Sequence, residues 1–175
     1  MTIQIDSREH AKAIQAIEKY FDDTGVDHFI SKLYCGDYMN YDNPRIVVDR
    51  KQNLGELCSN VCQQHERFRR EMIRALEHGI TIVFLCEHGH GIETLADVIW
   101  WENPRGKKRV KENGQWVEKT VKVMHGDVLF KILSTMEKRY GVKFLFCDKK
   151  DTGRRIVEIL GGEDEGRRCQ TATQH

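Results

Sequence analysis

Hydrophobic and polar positions follow two different periods along the chain, and they predict strands and helices in alternation. The apolar run 80–85 and the similar run 142–147 are typical of central strands covered on both faces. Shorter segments rich in β-branched residues or with alternating polarity predict further strands at 2–6, 26–33, 34–40 and 46–51. Stripes of helical period predict helices at about 8–23, 53–76, 93–101, 127–140, and from Asp151 or Thr152 onward. This order predicts an α/β sandwich around one mixed sheet.

The composition is that of one soluble globular domain. The chain has 175 residues, of which 39% are hydrophobic and 31% charged, enough for one substantial core. Residues 1–160 are expected to form this domain, whereas 161–175 lack apolar periodicity and are expected to be a disordered tail. The sequence shows neither a membrane-spanning run nor a signal peptide, and its six scattered cysteines fit reduced thiols. We therefore expect a cytoplasmic protein, or a nuclear one in a eukaryote, without membrane partners.

A structural zinc site is one alternative for some of these cysteines. Cys58 and Cys62 stand four residues apart on a predicted helix, and Cys86, His88 and His90 offer further soft ligands. The spacing matches no recognised zinc finger, and the first two cysteines lie on an apolar helical stripe. Buried thiols that pack as small hydrophobes are therefore the favoured interpretation.

Two carboxylates and an ammonium flank one predicted turn. Residues 41–45 have turn chemistry, so a hairpin folded about Asn43 makes Asp37 and Asp49 cross-strand partners with Cβ atoms roughly 4.5–5.5 Å apart. The period of two places Lys51 on the same face as Asp49. Opposed like charges destabilise an ordinary surface hairpin, so the pattern favours a bound Mg²⁺ or Mn²⁺. Metal-dependent phosphodiester cleavage requires such a trio, with Lys51 orienting the attacking water or holding the phosphate.

Three acidic residues outside this trio have two interpretations each. Asp6, with Glu9 three positions later, is a candidate for the active site and for a capping box of the first helix, and Asp6 could serve in both. Glu71 could reach the site from the predicted helix 53–76 or pair with a neighbouring arginine. That helix also has a cap signal of its own, Asn53 with Glu56 at the third position.

The net charge is only +1, but basic residues concentrate in one segment at about 104–124. Its central Asn-Gly step favours a tight turn, so we predict an inserted hairpin. Its basic residues are Arg105, Lys107, Lys108, Arg109, Lys111, Lys119 and Lys122.

Phosphate contacts are the favoured interpretation of the basic residues, whereas for Trp100, Trp101 and Trp116 base stacking is an open alternative to burial. In the alternative, the hairpin is a solvated ribbon and the tryptophans pack in the core or a dimer interface. The DNA surface would then comprise Arg67, Arg70 and Arg74.

Three motifs in succession resemble the signature of the XPF/Hef-type structure-specific nucleases. They are Ile5-Asp6-Ser7-Arg8-Glu9, Cys35-Gly36-Asp37-Tyr38 and Val48-Asp49-Arg50-Lys51. In addition, 84–87 looks like the Leu-Ile-Glu strand of that family and 151–160 like its closing helix, so the likeness covers most of the chain. The resemblance implies a restriction-endonuclease-like three-layer sandwich with a mixed central sheet flanked by helices. It also implies a Mg²⁺ or Mn²⁺ requirement and dimeric nuclease domains.

The resemblance also implies roles for single residues. Asp37 and Asp49 look like metal ligands, and Lys51 looks like the catalytic lysine. Arg50 looks like a residue that supports the site or the phosphate. Asp6 looks like a further acidic member and metal ligand, with Glu9 of the same motif as an additional catalytic candidate.

The chain departs from the family pattern at three points. Asp49 stands where a glutamate is usual, and Gly55 stands where an acidic residue is usual, with Glu56 beside it as a possible substitute. The tandem helix-hairpin-helix module that often follows the nuclease domain is absent. In this respect the chain looks like small phage or prophage proteins, and junction recognition would fall to the core, the insertion or a partner.

The expected function is metal-dependent endonuclease cleavage of branched, flap or junction DNA in repair, recombination or replication. We expect a homodimer that binds DNA and uses no small-molecule cofactor. The alternatives are a Holliday-junction resolvase, a sequence-specific restriction-type nuclease, an RNA-directed nuclease, or a catalytically silent DNA-binding subunit of a heterodimer.

Overall fold

The computed structural model describes residues 1–89, 91–112 and 114–162, and a mixed sheet forms its centre. The strands are β1 (Thr2–Asp6), β2 (Asp27–Ser31), β3 (Tyr38–Asn40), β4 (Ile46–Lys51), β5 (Thr81–Glu87), β6 (Lys107–Glu112), β7 (Gln115–Thr120) and β8 (Lys143–Cys147). Six of them form the sheet β2-β1-β3-β4-β5-β8, in which β3 alone runs antiparallel to its two neighbours. The strands β6 and β7 form a separate ribbon.

Helices cover both faces of the sheet. On one face lie α1 (Ala11–Thr24) and α5 (Thr152–Gly161), and on the other lie α2 (Leu54–Gln63), α3 (His65–Glu77) and α4 (Gly126–Tyr140). Each face has its own apolar core. Phe21 and Ile156 are buried in the first core, and Leu57 and Leu133 in the second. These layers confirm the three-layer sandwich with a mixed central sheet.

The central strand β4 serves both cores because its successive side chains alternate across the sheet. Val47 packs in the core of α2, α3 and α4, whereas Val48 packs in the core of α1 and α5. By the same alternation, Asp49 and Lys51 lie on the α2 and α3 side, and Arg50 lies on the α5 side. The three charged residues at the end of β4 are therefore divided between the two faces.

The predicted helix 53–76 is in fact two helices, α2 and α3. Gln64 between them has φ −119° and ψ 22°, which is outside the helical region. The predicted cap at the start of α2 is confirmed, since Asn53 Oδ1 accepts the Glu56 amide at 2.9 Å. As a separate helix, α3 brings Arg67 and Glu71 to a cleft beside the end of β4.

The connection between β5 and α4 contains a 3₁₀ helix, Leu95–Trp100, where an α-helix was predicted. Trp101 at its end is only 8% exposed, whereas Trp100 is 81% exposed. Gly126 allows α4 to start close against this segment, because a Cβ there would lie 2.3 Å from the carbonyl oxygen of Val98.

The predicted basic hairpin is confirmed as the ribbon of β6 and β7. Its strands pair from Lys107↔Thr120 at the base to Glu112↔Gln115 at the turn. Asn113 of the predicted turn lies outside the described residues, and Gly114 has a φ of 84°, a value that favours glycine.

The last helix ends one residue beyond the predicted domain boundary. It runs through Gly161, and Gly162 follows with a φ of 79°. Residues 163–175 of the predicted tail lie outside the described residues. In the part of the chain that the structure describes, no helix is long and apolar enough to cross a membrane.

Candidate active site

A bend before β3 positions Asp37. The residues before Tyr38 were predicted as strand, but Gly36 has a φ of 67°, and a Cβ on it would lie 3.1 Å from the Val48 carbonyl oxygen. A larger residue would strain the backbone and crowd β4. The bend lets the Asp37 amide donate to the Val48 oxygen (2.8 Å), while Asp37 Oδ2 accepts the Arg50 amide (2.8 Å). Asp37 is thus held on β4 by its backbone and its carboxylate.

Asp49 and Lys51 lie side by side on β4 and form an ion pair. Both are buried, and the Lys51 Nζ lies 5.7 Å from the centre of the Phe68 ring and 5.8 Å from that of Phe84. Both distances are within cation–π range. Burial opposes the charge of Lys51, but the adjacent Asp49 carboxylate leaves its pKa raised. The ion pair with Asp49 therefore favours the charged form of Lys51.

The two aspartates face the same cleft and repel each other electrostatically. Burial, and then the charges of Asp49 and Glu9, hold the pKa of Asp37 well above its usual range. Although Asp49 Oδ1 contacts Lys51, it is buried and accepts no well-aligned hydrogen bond among the described residues. The strand register ends at Tyr38↔Val48, one residue before the predicted Asp37–Asp49 pair. The cleft thus brings the predicted trio together.

Arg50 projects away from this trio into a buried polar network. Its Nε and Nη2 donate to Glu9 Oε2 at 3.1 and 2.8 Å, and its Nη1 donates to Glu87 Oε1 at 3.1 Å. The Thr152 hydroxyl at the start of α5 donates to the same Glu87 oxygen at 2.9 Å. The network ties β4 to β5, α5 and the segment before α1. Arg50 therefore fixes the strand that carries Asp49 and Lys51.

Asp6 and Glu9 do not form the capping box that was the alternative interpretation. Helix α1 begins only at Ala11, and its N-cap makes no side-chain hydrogen bond. Asp6 is 2% exposed, and its Oδ2 accepts the Arg8 Nε at 2.6 Å. Its Oδ1 faces the Leu33 amide at 3.4 Å. Protein donors thus already engage both oxygens of Asp6, and the Glu9 carboxylate holds Arg50.

The helices α2 and α3 supply the other wall of the cleft. Glu71 Oε1 accepts the Gly36 amide at 3.3 Å, so this residue reaches the site. Glu56 also lines the cleft, and its Oε2 accepts the Gln52 amide at 2.9 Å. The cleft has a volume of about 210 Å³ and is lined by six carboxylates against four cationic side chains. The carboxylates are those of Asp6, Glu9, Asp37, Asp49, Glu56 and Glu71.

Two basic surfaces lie outside the acidic cleft. Arg67, at the cleft wall, begins an exposed row on α3 that continues with Arg70 and Arg74. On the ribbon, Lys108, Arg109 and Lys111 pair with no carboxylate among the described residues, whereas Lys107 lies 3.9 Å from Glu118. Both predicted DNA surfaces are therefore exposed and cationic.

The described residues contain no group of three or more His, Cys, Asp or Glu side chains placed to hold a metal ion. The alternative of a structural zinc centre at Cys58 and Cys62 has no support from this part of the chain. Their sulfur atoms are 3.9 Å apart, and Cys58 packs in the apolar core.

Three polar residues of the site were not among the predicted candidates. Arg8 could have been chosen, because it belongs to the same motif as Asp6. Glu87 had a weaker signal, a carboxylate that directly follows the apolar run of β5. Thr152 had none, since its contact with Glu87 joins residues 65 apart in sequence.

The raised pKa of Asp37 has a measurable consequence for the metal-free protein. A carboxyl whose pKa is raised by folding stabilises the fold at low pH, and that contribution disappears as the pH rises through the raised pKa. Asp37→Asn should therefore raise the melting temperature at pH 7 in EDTA and lose this advantage towards pH 4. Each unit of pKa difference corresponds to about 1.4 kcal/mol.

The matched control for this prediction is Asp22→Asn, which changes an exposed aspartate on α1. Thermal unfolding across the pH series should show no comparable gain for the control. A lower melting temperature of Asp37→Asn at pH 7 would contradict the electrostatic argument.

Comparison with known proteins gives a family match and a structural match. The family model of the ERCC4 domain matches residues 5–159 of this chain. The solved structure "XPF from Aeropyrum pernix" has a TM-score of 0.63 and 17% identity, over 97% of this chain and 70% of that chain. The structure "XPF from Aeropyrum pernix, complex with DNA" has a TM-score of 0.60 and 17% identity, over 94% of this chain and 66% of that chain.

About a third of each solved chain thus has no counterpart in this one. At this level of identity the similarity concerns the fold. A search of curated proteins found no significant match.

Proposed function

Because the chain belongs to the ERCC4 domain family, we propose that it is a metal-dependent DNA endonuclease that hydrolyses phosphodiester bonds in branched, flap or junction DNA. The observation that carries this proposal is the trio of Asp37, Asp49 and Lys51 in one cleft. A structural relative solved in complex with DNA supports DNA as the substrate. Repair, recombination or replication would supply such branched substrates.

The donor set fits a hard divalent cation. Mg²⁺ binds through one or two carboxylates and completes its shell with waters and substrate phosphates, so a third protein ligand is not required. Asp37 and Asp49 lie in one cleft, and the charge of Asp49 adds to burial in raising the pKa of Asp37, so the pair gains from a cation beyond the single charge of Lys51. Asp37 and Asp49 would hold Mg²⁺ or Mn²⁺, which when bound lowers the pKa of water and neutralises phosphate charge.

The residues of the chain have separable tasks in this reaction. Asp37 and Asp49 present carboxylate oxygens whose positions the Arg50 amide and the β4 backbone fix. The raised pKa of Lys51 favours its charged form, which would hold a phosphate oxygen or orient the attacking water. Arg67, Arg70 and Arg74, with the ribbon, offer cations for the phosphates of the flanking duplex.

Cleavage assays test this proposal. Labelled flap, splayed-arm, four-way-junction, linear duplex and RNA substrates are incubated with Mg²⁺, Mn²⁺ or EDTA. We expect metal-dependent cleavage of branched DNA over linear duplex and RNA. Preference for the four-way junction or for one duplex sequence would identify a resolvase or a restriction-type enzyme, and absence of cleavage with both metals would contradict the proposal.

A catalytically silent DNA-binding subunit is the alternative from another class. A silent subunit has no need for two repelling carboxylates and a buried lysine in one cleft, because each carries a desolvation cost. The retention of all three therefore favours the active enzyme.

A homodimer is part of the proposal. Ile99 and Trp100 of the 3₁₀ helix, and Val128 in the first turn of α4, are 37%, 81% and 42% exposed on neighbouring elements. Such an apolar surface is suited to a second copy of the chain. Light scattering at micromolar concentration should give twice 20.5 kDa, and Trp100→Ser should shift the mass towards the monomer.

The control for the dimer is Leu76→Ser on α3, which removes an apolar side chain that is 52% exposed elsewhere on the surface. It should leave the mass unchanged. A monomeric wild-type protein would exclude the homodimer.

A further inference from the structure

The ribbon of β6 and β7 has two chemically different faces. Directly paired residues of antiparallel strands point to the same side, and the register pairs Lys111 with Trp116 and Arg109 with Glu118. With Lys107, these residues form one face, which we call the tryptophan face. The other face carries Lys108, Lys119 and the apolar pair Val110 and Val117.

The tryptophan face combines an unpacked indole with an excess of positive charge, three cations against the single carboxylate of Glu118. Trp116 is 69% exposed and makes no ring contact among the described residues. An exposed indole offers a flat apolar face on which an aromatic ring can stack. Arg109 and Lys111 beside it form no ion pair in the described part of the chain. The occupant that this combination suits is anionic and has flat aromatic faces.

The base of the ribbon is connected to the cleft. The Arg105 Nη1 donates to Ser59 Oγ of α2 at 3.0 Å. A polar groove of about 560 Å³ runs from this contact to the active site, and its lining includes Asn60, Arg67 and Lys51. This polar groove therefore joins the base of the ribbon to the cleft. From Lys107 to Lys111 the face is about 13 Å long.

We propose that the tryptophan face binds an unpaired DNA strand that adjoins the duplex in the cleft, with one base stacked on Trp116 and phosphates beside Arg109 and Lys111. The proposal rests on the proposed nuclease function and names the feature of the substrate that the ribbon selects. Bases inside a duplex have no free face for stacking, whereas every unpaired base does, whatever its identity. A second copy of the chain is a poor occupant, because two such faces would bring like charges together.

Binding measurements in EDTA separate this recognition from catalysis. Fluorescence anisotropy compares a duplex carrying a single-stranded tail with a blunt duplex of equal charge. Trp116→Ala should weaken binding of the tailed duplex by about five- to a hundredfold, the range for loss of one stacked base. The blunt duplex should change less than about twofold, and Trp116→Tyr should retain most of the affinity.

Two neighbouring positions provide matched controls on the opposite face. Val117→Ala truncates the next residue of β7 and should leave both affinities unchanged. Lys111→Ser and Lys108→Ser each remove one cation from β6, but only Lys111 shares the face of Trp116. Lys111→Ser should therefore weaken binding of the tailed duplex more than binding of the blunt duplex. Lys108→Ser should change the two affinities equally.

The outcomes distinguish this inference from the nuclease proposal. The inference would be overturned if Trp116→Ala lowered the affinity for tailed and blunt duplexes equally, or if Val117→Ala had the same effect as Trp116→Ala. Metal-dependent cleavage would remain intact in either case. A drop in oligomeric mass without selective loss of the tailed duplex would assign Trp116 to a protein interface and also overturn it. Selective binding by a protein that cleaves nothing would support the inference and overturn the nuclease proposal.

Discussion

Asp37→Asn and Asp49→Asn should each lower the cleavage rate on the order of a thousandfold or more. Each substitution removes a ligand charge but little volume, and a thousandfold loss corresponds to about 4 kcal/mol of transition-state stabilisation. The asparagine at position 37 can still accept the Arg50 amide, so the fold and the DNA affinity should be largely preserved. Single-turnover cleavage at saturating DNA, with anisotropy for binding, measures both quantities.

The control for this prediction is Asp42→Asn, which changes an exposed carboxylate remote from the cleft lining. It should cleave at the wild-type rate. Lys51→Ala should lose rate rather than metal affinity, because an ammonium cannot be a ligand. Substantial residual cleavage by the double variant of Asp37 and Asp49 would contradict the assignment of the metal site.

Arg50→Ala should lower the free energy of unfolding by about 3–5 kcal/mol, the range for removing one partner of a buried ion pair. The guanidinium is 4% exposed and joins Glu9 to Glu87, so its loss leaves two carboxylates with an uncompensated charge. Arg50→Lys should recover only part of this loss, because an ammonium cannot reproduce the planar set of donors that the guanidinium presents to two carboxylates. Urea denaturation at pH 7 provides the measurement.

An exposed ion pair provides the comparison. Lys19 and Asp23 on α1 are 74% and 59% exposed, and Lys19→Ala should leave the free energy of unfolding nearly unchanged. Combining Arg50→Met with Glu9→Gln and Glu87→Gln should restore much of the stability, since no unpaired charge then remains buried. An effect of Arg50→Ala no larger than that of Lys19→Ala would mean that the buried network contributes little to stability.

The sequence predicts the sheet and the catalytic candidates because both depend on local patterns. Period-two alternation places Asp49 and Lys51 on one face and turn chemistry brings Asp37 near them, and both follow from residues 34–51. The break at Gln64 was missed because the apolar stripe of α2 continues in α3 without a glycine or proline. Helical periodicity records which residues are buried, and it does not record where the axis turns.

The contacts that could not be predicted join distant parts of the chain. Arg50 meets Glu9 and Glu87 across 41 and 37 residues, and no local pattern identifies such partners. The capping-box interpretation of Asp6 and Glu9 was wrong for a related reason. The Asp6 carboxylate contacts Arg8 and the Leu33 amide, and the Glu9 carboxylate binds Arg50. These contacts take the place of the expected local cap.

The division of β4 between two faces bears on the fidelity of folding. Val47 and Val48 are the same residue type and both are buried, so a strand misaligned by one residue would still bury a valine in each core. The charged residues that follow would not tolerate the exchange, since Arg50 would replace Asp49 in the cleft and Asp49 would replace Val48 in the apolar core. Discrimination against the misaligned strand therefore comes from charge rather than from apolar packing, and the residues proposed for cleavage also ensure that the chain is correctly aligned.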